Sequence, residues 1–176
     1  MAGPGGGHDV VIREREPADD LAIRHLNDLA FGGTFEGGLV EELRGAFIDA
    51  VELVAVEDGM IVGHILFSAL TVMVDDDAVP TLSLAPMCVH PARQRSGIGS
   101  ALVETGLELA RRHEWQAVVV LGHPEFYPRF GFSAELAGGL DAPFEGESFM
   151  ALELVPGALD GDDGLIVYPA AFGLVS

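Results

Sequence analysis

Leu84-Ala85-Pro86-Met87-Cys88-Val89-His90-Pro91-Ala92-Arg93-Gln94-Arg95-Ser96-Gly97-Ile98-Gly99-Ser100 is an apolar run that enters a loop with two arginines and two glycines and then starts a helix. The helix is predicted from Gly99 to His113, with Leu102, Thr105 and Leu109 on one stripe and Val103, Gly106 and Ala110 beside it. Free amides at a helix N-terminus, with its partial positive charge, form an anion site. Gly97 and Gly99 let the backbone come close to a phosphate, and Arg93 and Arg95 add cationic donors. The loop is not a P-loop, because it lacks Gly-Lys-Ser/Thr, and it is not a dinucleotide loop, because Leu102 stands where a third small residue is needed. A phosphate or pyrophosphate is the predicted ligand; a glycine turn with nothing bound is the plain alternative. Pro86 cannot donate to a strand ladder, so it predicts a bulge or an edge. A bulge leaves amides and carbonyls near Met87, Cys88 and Val89 unpaired, able to grip an extended amide such as pantetheine.

Outward from this stretch, alternating and helical patterns give the remaining elements. Val10 to Arg15 reads as a first strand, and Pro17-Ala18-Asp19-Asp20 opens a helix, with Leu21, His25 and Leu29 at helical spacing, that Gly32-Gly33 ends. A second helix is expected from Glu36 to Phe47, with Leu39 and Leu43 inward. Leu53 to Glu57 is a strand, Asp58-Gly59 a hairpin turn, and Met60 to Met73 a long, bent return strand. Asp75-Asp76-Asp77 reads as a solvated tip rather than a metal site, which would need converging ligands from elsewhere. Thr81 to Val89 and Ala117 to Leu121 are strands, the latter apolar throughout as expected of burial on both faces. Phe149 to Val155 and Leu165 to Val167 add strands on either side of the break Asp160 to Gly164. The pattern describes an α/β (α+β) domain with a mixed sheet.

Composition narrows the function. The chain has 176 residues, suited to a single domain over 10–176 behind a flexible tail of residues 1–9 that lacks the features of a signal peptide. No run of 18 apolar residues exists, so no transmembrane helix is expected. The single cysteine, Cys88, forms no internal disulfide and nearly excludes a cysteine-based zinc site, which with the rest suits a cytoplasmic protein. The net charge of −19 disfavours nucleic acid and anionic membranes and raises the idea of a cationic substrate, beside the plainer reading of a solvated acidic surface. All nine basic residues are arginine, so lysine chemistry is excluded.

The central stretch resembles the GNAT superfamily of acetyl-coenzyme-A-dependent N-acetyltransferases. Gln94, Gly97 and Gly99 match that family's pyrophosphate loop, Gln/Arg-x-x-Gly-x-Gly/Ala, although Arg95 and Ser96 stand where Gly and Arg are common. Phe126-Tyr127-Pro128-Arg129-Phe130-Gly131-Phe132 is similar to its Tyr-x-x-x-Gly-Phe segment. Ile12-Arg13 with Pro17 and Asp19, the Asp58-Gly59 hairpin and Gly63 to Ser68 resemble a YhbS-type bacterial branch, and the resemblance covers roughly residues 10–172.

The resemblance implies a mostly antiparallel central sheet with splayed parallel fourth and fifth strands, flanked by helices. It implies acetyl-CoA as cosubstrate, no metal, and direct attack of a primary amine, small-molecule or protein-borne, on the thioester. By it, Cys88 and Val89 supply backbone to the acyl end, and Gln94, Arg95, Ser96, Gly97, Ile98, Gly99 and Ser100 hold the pyrophosphate. Tyr127 occupies the general-acid position; a phenol with a reference pKa of about 10 is protonated at neutral pH. His64, His123, Glu36 and Asp75 are alternatives for the base, with a water relay as another and a structural role as the plain reading of His64. Cys88 reads as a small strand residue rather than a nucleophile. Trp115, Phe126, Phe130 and Phe132 read as core, and Phe31, Phe35 and Phe47 as lining for the acceptor. A monomer or homodimer fits. A coenzyme-A-binding module without turnover, or an unrelated phosphate-binding domain, are the competing readings.

Overall fold

The computed structural model describes residues 9–172, so the expected N-terminal tail, apart from Asp9, lies outside the described residues. Elements follow the order β1 (Val10–Glu14), α1 (Asp20–Phe31), α2 (Phe35–Gly45), β2 (Asp49–Glu57), β3 (Met60–Val74), β4 (Asp77–Ala78), β5 (Thr81–Val89), α3 (Ile98–Arg112), β6 (Ala117–Leu121), α4 (Ala134–Ala137), β7 (Leu140–Asp141), β8 (Phe149–Glu153) and β9 (Gly164–Val167). The main sheet runs β1-β2-β3-β5-β6-β8, and every neighbour on it is antiparallel except β5 with β6. None of the helices among the described residues is long and apolar enough to cross a membrane.

Local chemistry explains the boundaries. Glu16 and Asp19 cap each other ahead of α1, and the Asp19 carboxylate also takes two hydrogen bonds from Arg13, at 2.7 and 3.0 Å. Gly32, at φ +71°, ends α1 in the left-handed conformation that favours glycine. Asp58 and Gly59 both take positive φ, as a type I′ hairpin turn requires. The Asp75 carboxylate accepts the amides of Asp162 and Asp163, which ties the acidic tip to the break before β9. The second helix stops at Gly45, two residues short of the expected end, because Phe47 turns the chain at φ +59°. The second strand begins at Asp49 rather than Leu53: its first residues pair with Phe67 and Ser68 in the middle of β3.

Side chains alternate across the sheet, so its two faces bury different partners. Leu53, Ile65, Phe67, Leu82 and Leu84 pack under Leu102, Val103 and Leu107 of α3. On the other face Val54 and Leu66 pack against Ile23 of α1 and Leu39, Val40 and Leu43 of α2. The α3 contact is close at Gly106: a Cβ there would lie 2.2 Å from Cε1 of the fully buried Phe67. Gly106→Val is therefore expected to cost about 2–3 kcal/mol by over-packing. At about 2–4 °C per kcal/mol, thermal unfolding should show a fall of several degrees.

The feature that positions the site is the separation of β5 from β6. They pair in parallel from Thr81 with Ala117 to Leu84 with Val120, and no further. Between Ile65 and Phe67 of β3 the partner steps from Met87 to Leu84, so β5 carries one extra residue at Ala85-Pro86. This is the bulge that Pro86 predicts. Beyond it, Met87 to Val89 pair with β3, and the whole of Ala85 to Val89 leaves its other edge without a strand partner.

Candidate active site

That open edge is the floor of a cleft of about 1330 Å³. At one end β5 runs through a short turn at Pro91–Arg93 into α3. Gly97 caps α3 at φ +87°, and its carbonyl accepts the Ala101 amide at 3.0 Å. The amides of Ile98, Gly99 and Ser100 begin the helix and have no carbonyl one turn back to bond, so they form a donor cluster at a positive helix end. Gly99 leaves Met87 and Phe126 at ordinary contact distance from where a Cβ would sit, 3.7 Å.

Of the predicted residues, Cys88, Val89, Gln94, Arg95, Gly97, Gly99, Ser100 and Tyr127 line the cleft. Ser96 and Ile98 stand off it. The Ser96 hydroxyl donates to the Arg93 carbonyl, and the Ile98 side chain is buried in the core beneath Gly63, so Ile98 offers the site its amide alone. Arg93 is held by Glu57, its Nε donating to Oε1 at 2.5 Å, and so is not the free cation that the loop suggested. Arg95 has no ion-pair partner among the described residues and takes φ +65° at the rim.

The arginine pairing has a pattern. Among the described residues, six of the nine arginines hold carboxylates: Arg13, Arg15, Arg24, Arg44, Arg93 and Arg112. The other three, Arg95, Arg111 and Arg129, hold none. Arg95 and Arg129 line the cleft, and Arg129 and Arg111 line a groove of about 500 Å³ that adjoins it at Ser100. Arg129 is steadied over the Phe126 ring, 4.7 Å from its centroid.

Tyr127 is 6% exposed and held by its ring. Phe126 and Phe132 meet it edge-on at 5.0 and 5.7 Å, and a Cβ at Gly122 would lie 2.4 Å from its Cε2. Among the described residues nothing hydrogen-bonds its hydroxyl. Burial pushes the phenol up to about 12, so it keeps its proton through the neutral range. Burial, with the Glu36 charge adding, also pushes the Cys88 thiol up to about 12, which removes it as a nucleophile.

The four base alternatives separate by position. Glu36 and His123 line the cleft. Asp75 is at the far tip, bonded to the amides of Asp162 and Asp163. His64 lies opposite Cys88 in the sheet but is 0% exposed, with Nε2 2.7 Å from Oε2 of Glu52 and Nδ1 3.2 Å from Nδ2 of Asn27. A neutral imidazole with its proton on Nε2 satisfies both contacts, since Glu52 accepts and Asn27 donates. Burial lowers the His64 pKa against the pull of Glu52. His64 is thus structural. Phe31 and Phe35 line the cleft as expected; Phe47 does not, being 90% exposed beyond the end of α2. Trp115 and Phe130 pack against the main core, as does Phe126, which also borders the cleft.

Leu39, expected on the inner face of α2, also borders the cleft, and so do residues that no local signal marks: Glu125, Phe144, Tyr168 and Phe172. Phe144, Tyr168 and Phe172 come from segments without regular spacing: the pairing of β9 with β3 brings back Tyr168 and Phe172, and the pairings of β7 with β9 and β8 with β6 flank Phe144. Among the described residues no group of three His, Cys, Asp or Glu is placed to hold a metal ion.

Comparison with known proteins gives the same architecture. The acetyltransferase (GNAT) domain family matches residues 49–134, which hold the bulged strand, the glycine loop and Tyr127. The N-acetyltransferase YjhQ of Escherichia coli is 37% identical over 141 residues, covering 78% of this chain and 77% of the relative. Escherichia coli YhbS is 33% identical over 168 residues, 93% of this chain and 98% of the relative. Its crystal structure in complex with CoA superposes with a TM-score of 0.86 at 31% identity, over 97% of this chain and 95% of that one. A Brucella melitensis GNAT acetyltransferase in complex with acetyl-CoA gives a TM-score of 0.77 at 34% identity, over 94% and 99% of the chains. A strand that parts from its parallel neighbour just before a glycine-capped helix, in a chain this close to such relatives over nearly its full length, leaves one assignment: this protein belongs to the GNAT family of N-acetyltransferases.

Proposed function

We propose that the chain, as one catalytic domain over residues 10–176, moves an acetyl group from acetyl-CoA to a primary amine by direct attack in a ternary complex. The observation that carries this reading is the set of three arginines without carboxylate partners among the described residues, in a chain of net charge −19, all three bordering the cleft or its adjoining groove. Arg95 and Arg129 border the cleft with the amides that open α3, and Arg111 stands in the last turn of the same helix, in a groove that Glu104 and Glu108 also line; cations left without carboxylates beside helix-end amides suit an anion of several charges. The unpaired edge of Ala85 to Val89 is the right length of backbone for a pantetheine arm, at about 3.3 Å per residue. Acetyl-CoA supplies the activated acetyl group.

The residues then divide the work. Arg95, Gln94 and the amides of Ser96 to Ser100 bind the pyrophosphate, and Arg111 and Arg129 meet the remaining phosphate. Amides of Cys88 and Val89 polarise the thioester carbonyl. The amine nitrogen bonds to the carbonyl carbon, the C–S bond breaks with its electron pair going to sulfur, and Tyr127 gives that sulfur a proton. The nitrogen loses one proton, to Glu36, His123 or water at the cleft. The single, buried cysteine and the acidic surface support a cytoplasmic place of work, on a small-molecule or protein amine.

Thermal unfolding with acetyl-CoA tests the reading. Ligand at ~100 times its dissociation constant should add about 2.7 kcal/mol, or roughly 5–10 °C. Gly97→Glu puts a side chain at φ +87° and a negative charge at the phosphate end, and should abolish the shift. No shift at millimolar acetyl-CoA in the parent protein would remove the proposal. A shift without thiol release, across amines of every class, would make the chain a coenzyme-A-binding module.

A further inference from the structure

The cleft changes character along its length. Its cationic end is at the Gly97 loop, next to Val89. Its other end is fixed by register: β3 pairs Ser68 with Ser83 and Leu70 with Thr81, then continues through Thr71 to Val74 against β9. Tyr168 follows β9 directly, one residue past the Thr71–Val167 pair and so level with Leu70, about 23 Å along β3 from the Gly63–Val89 pair at about 3.3 Å per residue, and it lines the cleft with Ser83 and Leu84. Phe144 meets Tyr168 edge-on at 5.3 Å, and Tyr168 meets Phe172 edge-on at 5.2 Å, forming a continuous aromatic wall. Facing it, the α1–α2 hairpin lines the cleft with Phe31, Phe35 and Leu39. Phe31 and Phe35 are exposed, Phe35 by 60%, although both border a concave site. Large aromatic rings left uncovered around a cleft mark a place for an apolar ligand body.

One charge stands in this wall. Glu36 follows Phe35 directly, borders the cleft, and is close enough for its charge to bear on Cys88, where the reacting carbonyl is held. We propose that the acceptor is a small arylalkyl monoamine, its ring between the Phe31–Phe35 and Phe144–Tyr168 walls and its ammonium against Glu36. This rests on the acetyl-transfer reading above. Aromatic surfaces on both sides favour a ring through edge and face contacts. A second or third ammonium, as in a polyamine, would lose water against rings and find no further carboxylate on the α1–α2 wall, the cleft's other glutamate, Glu125, belonging to the segment beside Phe126 and Tyr127.

The test is calorimetric binding of 2-phenylethylamine, n-butylamine and spermidine to the CoA-loaded protein, followed by acetyl transfer read as thiol release. The expected result is that 2-phenylethylamine binds at least tenfold more tightly than the other two and has the highest kcat/KM. Phe35→Ala should weaken 2-phenylethylamine at least fivefold, change n-butylamine little, and leave the acetyl-CoA thermal shift intact; Glu36→Gln should weaken both monoamines. Equal affinities, or tighter binding of spermidine, would overturn the inference, as would a Phe35→Ala variant that still folds and keeps the preference. If acetyl-CoA itself fails to shift the unfolding temperature, the acetyl-transfer reading fails and this one with it. If it shifts and only polar amines react, the acceptor class alone is wrong.

Discussion

Replacing Tyr127 with phenylalanine should lower kcat by about 10²-fold or more, because general acid catalysis is commonly worth 10²–10⁴. The substitution isolates the hydroxyl. Phe126, Phe132 and Gly122 hold the ring, and phenylalanine keeps all of those contacts. Among the described residues the hydroxyl bonds to nothing, so no partner is stranded and the unfolding temperature should stay within roughly 2 °C. The acetyl-CoA shift should also survive, which separates a lost acid from lost binding. The acid form of Tyr127 exists below its pKa, and burial has raised that to about 12. This group therefore imposes no fall in rate between about pH 7 and 10. A thioester of a more acidic thiol should narrow the gap between the two proteins, since its thiolate leaves without help. An unchanged kcat with the parent substrate would dismiss the acid role and hand the proton to water.

Glu52→Gln should destabilise the fold by about 3–5 kcal/mol, the usual result of breaking a buried ion pair from one side. Glu52 is where three elements meet. Arg44 of α2 donates to both of its oxygens, at 3.0 and 2.5 Å, and His64 of β3 donates at 2.7 Å. His64 in turn is bonded by Asn27 of α1. The network fixes the α1–α2 hairpin, and so one wall of the cleft, to the sheet. Burial pushes the Glu52 carboxyl up, but the His64 and Arg44 hydrogen bonds outweigh it and hold the pKa at about 2. Its contribution is complete above the unfolded value of 4.5 and is lost as the pH falls toward 2. His64 has the same sign: its lowered pKa means that the unfolded chain binds a proton below about 6.5 that the folded chain refuses. Stability should therefore fall from pH 7 to pH 4 chiefly through His64, in the parent and in Glu52→Gln alike, and below about pH 4.5 the further loss from Glu52 should appear in the parent alone. Chemical unfolding at pH 7, 4 and 3 measures both effects. A variant as stable as the parent, with an unchanged pH slope, would mean that Arg44 and His64 find water instead.

Much of this was readable before any fold was known, and for a common reason. The bulge at Pro86, the hairpin at Asp58-Gly59 and the cap at Gly97 each follow from one residue's backbone preference, which needs no distant partner. Helix α3 shows its buried stripe through spacing alone, whereas in α1 the spacing of Leu21, His25 and Leu29 marks the exposed face and Ile23, Leu26 and Asn27 are the buried residues. The errors lie where backbone preference was weak. Ending α2 at Phe47 overlooked the left-handed turn there, and starting the second strand at Leu53 missed residues that are strand only because β3 is alongside.

The site divides in the same way. The residue types and order of the phosphate loop, and the place of Tyr127 after the fifth main strand, are local facts that the chain carries in its own order. Partnership is not. Whether Arg93 or Arg95 is the free cation depends on Glu57, 36 residues away in sequence. Whether His64 is a base or a strut depends on Glu52 and Asn27, which close over it from another strand and a helix. The aromatic lining of the cleft joins residues 31–39 to Phe144, Tyr168 and Phe172, and no periodicity links them. The sequence by itself determined the backbone conformations and the chemistry on offer, because these are set by a few neighbouring residues. Tertiary structure decided which charges are left unpaired and which rings face one another, because burial and pairing are settled only when distant segments pack.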